Sequence, residues 1–417
     1  MHSKRILILG GGRYNVPSIL SAQKAGFFTF VADRNAAAPG LAVADHALPI
    51  DLNDCDSLIG AIEEHGGIDG IVSMAEVGVR AAARISARLG LPSISENAAE
   101  NATSKAAMRR AWRALGKYSP EFRVVADVDA AYHAAAELAC FPLVFKPDRS
   151  FGGSRGVTRV ESREEISCAF ESAQSGGLPG SQVVIEFCIE GTEHSCEVLI
   201  WQGKTSVLCI GQKVKSTLPY RVDVSVQYPA QLNFEQESIV SDMCQKAVAA
   251  LGLTQGVAHV EFGYGSQGPV LFELGARCGG GHTPEIAHHV SGVNEFVEAC
   301  RMACGMAPSH FSAIARRGAD YRFLIFPPGI VEDVVLPAEL LGDLRVLDVG
   351  LTVKAGDIIR PLHSTSERAG FIVSVADTLS DAVQRADRGC REILVRYADG
   401  KNHHALELDD FREFAHS

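Results

Sequence analysis

Short apolar runs alternate with amphipathic segments along the first hundred residues. The apolar runs have the composition of strands, and the segments between them carry apolar residues at helical spacing. The predicted strands are 5–10, 27–33, 68–74 and 91–95, and the predicted helices are 17–26, 57–65 and 79–89. This alternation predicts a parallel sheet with helices on both faces. Ligands of such sheets bind at the carboxyl ends of the strands.

The pattern changes after residue 100 and again near residue 313. A helix begins after Thr103 or Ser104, and a long α+β stretch continues to residue 312. Residues 313–417 carry short strands and one clear helix, predicted over 379–394. We therefore predict a mixed α/β and α+β protein with domains at 1–100, 101–312 and 313–417.

The composition is that of an ordinary globular protein and narrows the set of partners. The 417 residues are 47% hydrophobic and 21% charged, with a net charge of −11. An acidic chain without clustered Lys and Arg is not expected to bind nucleic acid or anionic membranes. No apolar run approaches the length of a membrane helix, and only four apolar residues precede the first glycines. The 11 scattered cysteines form no CxxC pair, so we expect a cytoplasmic protein with reduced, buried thiols.

A glycine turn follows the first predicted strand. Residues 10–15 and Asp33 resemble a dinucleotide-binding turn, but Asn15 stands where the third glycine of that motif belongs. A structural turn, or part of a small-substrate pocket, is therefore favoured over nicotinamide or flavin binding.

A second glycine-rich segment has the chemistry of a phosphate site. An apolar strand ends at Lys146, residues 150–156 form a glycine-rich loop, and a second strand follows. Glycines let backbone N–H groups close on an anion, and a nearby lysine supplies a mobile positive charge. The Walker motif is absent. The alternative is an ordinary hairpin with a flexible tip and a solvated lysine.

Several glutamates follow in the next strand pair. Glu186 and Glu193 are placed to accept hydrogen bonds from ribose hydroxyls or an adenine amino group, and Glu190 and Glu197 add two more carboxylates. The alternative is solvent-facing acid on a hairpin, and this alternative is stronger for Glu190.

Two further carboxylates leave a predicted hairpin. Glu261 and Glu273 are twelve residues apart, a spacing that can bring both to one face of an antiparallel pair. Carboxylates held together need a cation, and Mg²⁺ is typically held by one or two of them plus nucleotide phosphates. Arg277 could then clamp a carboxylate or a phosphorylated carboxylate. The alternative is a Glu–Arg pair on a loop.

The segment after Arg277 is a run of three glycines that ends in a histidine. Gly280 and its neighbours would let backbone approach the reacting group. His282 either binds substrate or hydrogen-bonds within its loop. His288 and His289 lie on a predicted helix and are expected to be structural.

Taken together, these segments resemble the ATP-grasp superfamily of ADP-forming carboxylate ligases. The resemblance rests on five stretches in the family's order, at 5–35, 104–112, 144–157, 184–198 and 259–277. It implies an N-terminal Rossmann-like domain, a two-lobed ATP-binding domain with a lid subdomain at about 120–185, and a C-terminal α+β lobe. It also implies ATP and Mg²⁺ as cofactors, with Mn²⁺ as an alternative metal, and homodimers are common among members.

The same resemblance implies a role for each matching residue. Lys105 and Lys146 resemble the nucleotide-phosphate lysines, and Glu261 and Glu273 the Mg²⁺ ligands. Arg277 is similar to the arginine that stabilises the acyl phosphate. The remaining assignments are a phosphate lid at Gly152, Gly153 and Ser154, an adenine hinge that includes Glu186, Phe187 and Ile189, and a ribose ligand at Glu193. Arg221 could meet an acidic group at the acyl site.

One position departs from the family pattern. Many members carry a metal-binding asparagine two residues after the second glutamate, where this chain has Gly275. Residues 275–282 look most like the bacterial L-amino-acid ligases, so a ligase that joins a small carboxylic acid to an amine is favoured. The N-terminal segment resembles purine-pathway members, and residues 356–383 resemble biotin carboxylase. A purine-pathway or carboxylase-like enzyme, or a non-catalytic ATP-binding module, are the alternatives.

Overall fold

The N-terminal part of the chain is a small parallel sheet with helices on both faces. The structure is a computed structural model that describes residues 3–150, 154–216, 221–408 and 410. Its first elements are β1 Arg5–Leu9, α1 Val16–Lys24, β2 Phe28–Ala32, α2 Pro39–Val43, β3 His46–Leu48, α3 Cys55–Glu64, β4 Gly70–Ser73 and α4 Val79–Leu89. The strands lie in the order β3-β2-β1-β4, all parallel. The predicted parallel sheet is confirmed.

The predicted strand at 91–95 is wrong. Gly90 ends α4 in the left-handed conformation, with φ 66°. Ser95 then caps the next helix, because its hydroxyl accepts a hydrogen bond from the Ala98 N–H at 3.1 Å. The segment is a connection between two helices, and its apolar residues pack without joining a sheet.

A second, antiparallel sheet lies within residues 122–187, the region for which a lid subdomain is predicted. Its elements and the helices before it are α5 Glu96–Asn101, α6 Lys105–Trp112, β5 Phe122–Val125, α7 Val128–Leu138, β6 Leu143–Pro147, β7 Thr158–Val160, α8 Ile166–Gly176 and β8 Val183–Phe187. The strand order is β5-β8-β6-β7. A separate apolar core from α7, α8 and one face of this sheet leaves the other face for polar groups.

The largest sheet described here is antiparallel and carries most of the candidate site. It begins with β9 Thr192–Trp201, β10 Lys204–Lys215, β11 Asp223–Tyr228, α9 Phe234–Leu251, β12 Gln255–Gly265, β13 Gly268–Gly275, α10 Thr283–Ser291 and α11 Glu295–Ala303. An apolar cluster between α9 and the back of this sheet buries Val198, Val260 and Phe262. The opposite face is therefore the one available for charged side chains.

The last hundred residues extend that sheet and add a smaller one. Their elements are β14 Gly318–Leu324, β15 Gly329–Val335, α12 Ala338–Leu341, β16 Val346–Leu351, β17 Ile358–Ile359, β18 Gly370–Ala376, α13 Leu379–Glu392, β19 Leu394–Tyr397 and β20 Asn402–His404. The large sheet runs β13-β12-β9-β10-β11-β14-β18-β16, and the small one runs β17-β15-β19-β20. Hydrogen bonding is thus continuous across residue 312, and the domain boundary predicted there stays a prediction.

No described helix combines the length and the apolar character needed to cross a membrane.

Candidate active site

The two predicted metal ligands lie directly opposite each other. Glu261 on β12 pairs in register with Glu273 on β13, so both side chains leave the same face of the large sheet. Their side chains are 33% and 37% exposed. The hairpin geometry predicted from their spacing is confirmed.

Each of these carboxylates has a lysine partner. Lys105 Nζ lies 2.8 Å from Glu273 Oε1, and Lys213 Nζ lies 2.6 Å from Glu261 Oε2. Burial raises the pKa of each glutamate, but the lysine charges outweigh it and hold both pKa values below the usual range. Both groups are therefore carboxylates at neutral pH.

The donor set fits Mg²⁺ in the way that nucleotide-binding sites hold it. Two opposed carboxylates supply hard oxygen ligands, which Mg²⁺ prefers. In the part of the chain that the structure describes, no group of three or more His, Cys, Asp or Glu side chains is arranged to hold a metal alone. A metal at this pair would therefore depend on oxygens from another molecule, such as phosphates. Gly275, on the same face, offers no ligand of its own.

Lys146 lies in a buried ion-pair cluster on the facing small sheet. Its ammonium contacts Glu186, and Arg109 binds the same carboxylate with Nε–Oε2 at 2.8 Å and Nη2–Oε1 at 3.1 Å. Burial lowers the pKa of Lys146 despite the opposing charge of Glu186. Burial raises the pKa of Glu186, but Arg109 and Lys146 bring it below its usual range.

These contacts change the prediction for the hinge residues. The Glu186 carboxylate is 2% exposed and is held by two cations, so it positions Lys146 and does not meet adenine or ribose. Phe187 donates its N–H to the Glu121 carbonyl at 3.2 Å. Ile189 packs with Phe272 around Gly263, where a Cβ atom would lie 2.7 Å from Ile189. This apolar wall suits a planar ring.

The predicted ribose ligand lies at the far end of the same sheet face. Glu193 pairs in register with Gly263 on one side and Lys213 on the other. Lys215 Nζ lies 2.6 Å from its Oε2, and Arg221 Nη2 lies 3.7 Å from its Oε1. Arg221 thus lies beside the predicted ribose ligand, and no described contact brings it to the predicted acyl site.

Arg277 is held by a residue that follows the last strand of the N-terminal sheet. Its Nε lies 2.9 Å from Glu76 Oε2, and its Nη1 donates to the Cys278 carbonyl at 2.8 Å. Burial lowers the pKa of Arg277, but the charges of Glu76 and Glu273 raise it. A Cβ atom on Gly275 would lie 3.3 Å from the same Glu76 oxygen. The guanidinium is therefore fixed in one orientation beside the carboxylate pair.

The glycines after Arg277 have different surroundings. A Cβ atom on Gly280 would meet nothing within 4 Å, so space is open there, as predicted. Gly281 has φ +64° and lies against Tyr321.

The predicted phosphate lid is described only in part. Ser154 has a positive φ, at 55°. The predictions for Gly152 and Gly153 lie outside the described residues.

His282 is buried in an aromatic cluster from three parts of the chain. Its ring is 5.3 Å from Tyr14 and 4.9 Å from Phe371 between centroids, and its Nε2 lies 3.1 Å from Asp348 Oδ2. It is 5% exposed. The geometry therefore favours a contact within the protein over the predicted contact with substrate.

The glycine turn after β1 is held by its own neighbours. Asp33 Oδ2 accepts from the Gly11 N–H at 2.9 Å, and Oδ1 accepts from the Asn35 N–H at 2.9 Å. The Asp33 carboxylate, which contributed to the resemblance to a dinucleotide-binding turn, is thus used within the turn, and this supports a structural role.

Four charged residues of the site were missed by the sequence reasoning. Lys213 and Lys215 alternate along β10, so a period-two reading would have placed both on one face. Arg109 lies four residues after Lys105 on α6, and Glu76 follows the carboxyl end of β4. Helical spacing points to Arg109, because it lies one turn after Lys105. Glu76 could have been found from the rule that parallel sheets bind ligands at the carboxyl ends of their strands.

A cavity of about 840 Å³ lies beside the hinge and away from the carboxylate pair. Arg110, Arg113, Phe122 and Ile189 are among its lining residues. Neither Glu261 nor Glu273 is among the residues that line this cavity.

Comparison with known proteins agrees with this geometry. The chain matches an ATP-grasp N-terminal domain over residues 19–93, an ATP-grasp domain over 139–285 and an L-amino acid ligase C-terminal domain over 322–398. The chain belongs to the ATP-grasp superfamily. Within that superfamily it is an ATP-dependent ligase, and the last match is to a domain named for the L-amino acid ligases.

Individual relatives are distant. The crystal structure of an L-amino acid ligase from Bacillus licheniformis has a TM-score of 0.78 and 23% identity, covering 95% of this chain and 99% of that one. An uncharacterised protein of Sinorhizobium fredii is 27% identical, covering 81% of this chain and 71% of that protein. Carnosine synthase 1 of Homo sapiens is 27% identical over 44% of this chain and 23% of its own length.

Proposed function

We propose that this ligase activates a small carboxylic acid as an acyl phosphate and joins it to an amine. The observation that carries the proposal is the register of Glu261 and Glu273, which places two carboxylates beside Lys105 and Arg277. The reaction would consume ATP and release ADP and phosphate. Its partners would be small molecules.

The first half of the proposed reaction is phosphoryl transfer. An oxygen of the substrate carboxylate attacks the γ-phosphorus of ATP, and the bond to the β,γ-bridging oxygen breaks to release ADP. Lys105 and Lys146 would bind phosphate oxygens, and Glu193 would bind ribose. Glu261 and Glu273 would hold Mg²⁺, which when bound offsets phosphate charge. The apolar wall of Ile189 and Phe272 would receive adenine.

The second half is amide formation. The amine attacks the acyl carbonyl, the C–O bond to phosphate breaks, and the nitrogen loses a proton. Arg277 would stabilise the negative oxygen of the tetrahedral intermediate, and the hold of Glu76 on its Nε sets its direction. An acyl phosphate enclosed in the site would be protected from hydrolysis until the amine arrives.

An amino acid or similar small acid is the substrate class we favour. This is supported by the match of residues 322–398 to an L-amino acid ligase domain and by the likeness to the Bacillus licheniformis enzyme. The open space at Gly280, next to Arg277, is where such a substrate would lie.

Nucleotide turnover tests the proposal. The purified chain would be incubated with ATP, Mg²⁺ and pools of amino acids and small carboxylates, and ADP, AMP and phosphate would be measured separately. We expect equal ADP and phosphate, formed only with particular pools. AMP formation would indicate adenylation and contradict the proposal, as would the absence of both turnover and ATP binding.

A further inference from the structure

A series of side-chain contacts connects the glycine segment, residues 279–281, with Glu261, one of the two candidate metal ligands. Glu197 on β9 pairs in register with His259 on β12. Its Oε1 lies 2.5 Å from His259 Nδ1, and its Oε2 accepts from the Gly279 N–H at 3.1 Å. Glu197 is fully buried, so these contacts hold a carboxylate that water does not reach.

The other side of the His259 ring faces Glu261. Its Nε2 lies 3.4 Å from Glu261 Oε1, while Lys213 holds Glu261 Oε2 at 2.6 Å. Both oxygens of Glu261 therefore have a nitrogen partner that limits rotation of the carboxylate. The His259 side chain is only 13% exposed, which leaves it poorly placed to touch a substrate.

Gly279 lies close to the His259 ring. A Cβ atom at Gly279 would lie 2.8 Å from His259 Nδ1 and 2.4 Å from Thr283 Cγ2. Any larger residue would move either the glycine segment or the imidazole. The position of the glycine segment and the position of His259 are thus linked by contact as well as by Glu197.

We propose that His259 and Glu197 are positioning residues, which hold Glu261 in the orientation that binds metal and tie that orientation to the glycine segment. The inference rests on the proposed function, because Glu261 is a metal ligand only there. Neither residue contacts reacting atoms in this account. Contacts one step behind a ligand commonly set its orientation and affinity.

Two substitutions of His259 separate its contact with Glu197 from its contact with Glu261. The amide nitrogen of asparagine can take the place of Nδ1, so His259→Asn keeps the bond to Glu197 and loses the contact with Glu261. The longer glutamine can take the place of Nε2, so His259→Gln keeps the contact with Glu261 and loses that with Glu197. The matched control is His288→Asn, an exposed histidine on α10 outside this chain of contacts.

Two measurements that need no substrate follow these two contacts of His259 separately. Mn²⁺ binding to the ADP-bound protein, measured by electron paramagnetic resonance, reports on Glu261. Hydrogen exchange of the peptide that contains Gly279 reports on the glycine segment. We expect His259→Asn to weaken Mn²⁺ binding by about tenfold with exchange unchanged. We expect His259→Gln to speed exchange while Mn²⁺ binding stays within about threefold, and the control to change neither.

The outcomes distinguish this proposal from the function on which it rests. A folded His259→Asn protein with unaltered Mn²⁺ affinity would overturn the positioning role alone. If the parent chain binds no Mn²⁺ with ADP, the proposed function and this inference both fail. Should His259→Asn not fold, Glu197→Gln carries the test, because it removes the charge that holds His259. It is expected to weaken Mn²⁺ binding and speed exchange, and no change in either would overturn the proposal.

Discussion

Single residues of the site are held by paired charges. Lys105, Lys146 and Lys213 each contact a glutamate, and two of these glutamates are the proposed metal ligands. The three glutamates and Lys146 were identified from sequence because strand ends and a glycine loop mark them, whereas Lys213 was missed. Their partners were not identified, because Glu76 contacts Arg277 across 201 positions of sequence. Local patterns carry no information on such a pair.

Glu273→Gln should abolish ligation with the fold intact. The amide keeps the shape of the side chain but removes the charge that a metal and Lys105 both need. We expect kcat to fall by at least about a hundredfold, as for loss of a charge-stabilising group. Steady-state ADP release measures this, with the exposed Glu235→Gln on α9 as the matched control. Retained turnover by a folded Glu273→Gln protein would contradict the assignment of Glu273 as a metal ligand.

Buried His194 should make stability depend on pH. Burial lowers its pKa to about 4 from an ordinary value of 6.5, although a backbone contact with Gly211 opposes this. Between pH 6.5 and 4 the unfolded chain therefore binds more protons than the folded one. The contribution of His194 to the free energy of unfolding is complete above pH 6.5 and falls by up to about 3 kcal/mol toward pH 4.

Urea unfolding at a series of pH values checks this behaviour. We expect His194→Gln to be less stable than the parent at pH 7.5 but to have a flatter profile between pH 6.5 and 4. Parallel profiles for the two proteins would mean that His194 is not the titrating group.

At the scale of elements, periodicity predicted most of the fold. The helix predicted at 79–89 has the bounds that the structure gives it, and the helix predicted over 379–394 corresponds to α13 Leu379–Glu392. The strand predicted at 91–95 failed because Pro92 and two serines interrupt the segment, and Ser95 caps the next helix. The order of the large sheet could not be predicted, since β11 pairs with β14 across 89 intervening residues.

The start of α6 should affect both stability and Lys105. Ser104 caps this helix by accepting from the Ala107 N–H at 3.0 Å, and its hydroxyl donates to Asp148 Oδ1 at 2.7 Å. Ser104→Ala should lower the free energy of unfolding by about 1–2 kcal/mol. Because Lys105 is the next residue, the affinity for ADP should fall too. Urea unfolding and calorimetric titration with ADP measure the two effects.

Thr103→Ala is the comparison for that substitution. Its hydroxyl bonds the Ala99 carbonyl at 2.8 Å and is not the cap of α6. A loss of ADP affinity equal to that of Ser104→Ala would contradict the assignment of the cap.

At the scale of the whole molecule, the site is a meeting of distant segments. Glu76 follows the N-terminal parallel sheet, Arg277 follows the antiparallel hairpin, and His282 contacts Tyr14, Asp348 and Phe371. These contacts bring the N-terminal and C-terminal parts of the protein together around the glycine segment. Residue patterns predicted each part but not their contacts.

Glu76→Gln should therefore reduce catalysis more than nucleotide binding. The amide can still accept from Arg277 Nε, but the charge that fixes the guanidinium is lost. We expect kcat to fall by about tenfold or more, with ADP affinity unchanged. Turnover and calorimetric titration separate the two. An equal loss in both would place Glu76 at the nucleotide instead of the acyl group.

Transfer of oxygen from carboxylate to phosphate is the most direct test of the central claim. Once turnover has identified a carboxylate substrate, that substrate would be labelled with ¹⁸O and the released phosphate examined by ³¹P nuclear magnetic resonance. An acyl phosphate predicts one carboxylate oxygen in each phosphate, because the oxygen that attacks the γ-phosphorus leaves with it when the amine attacks. Phosphate without the label, or label found in AMP, would contradict the acyl-phosphate route.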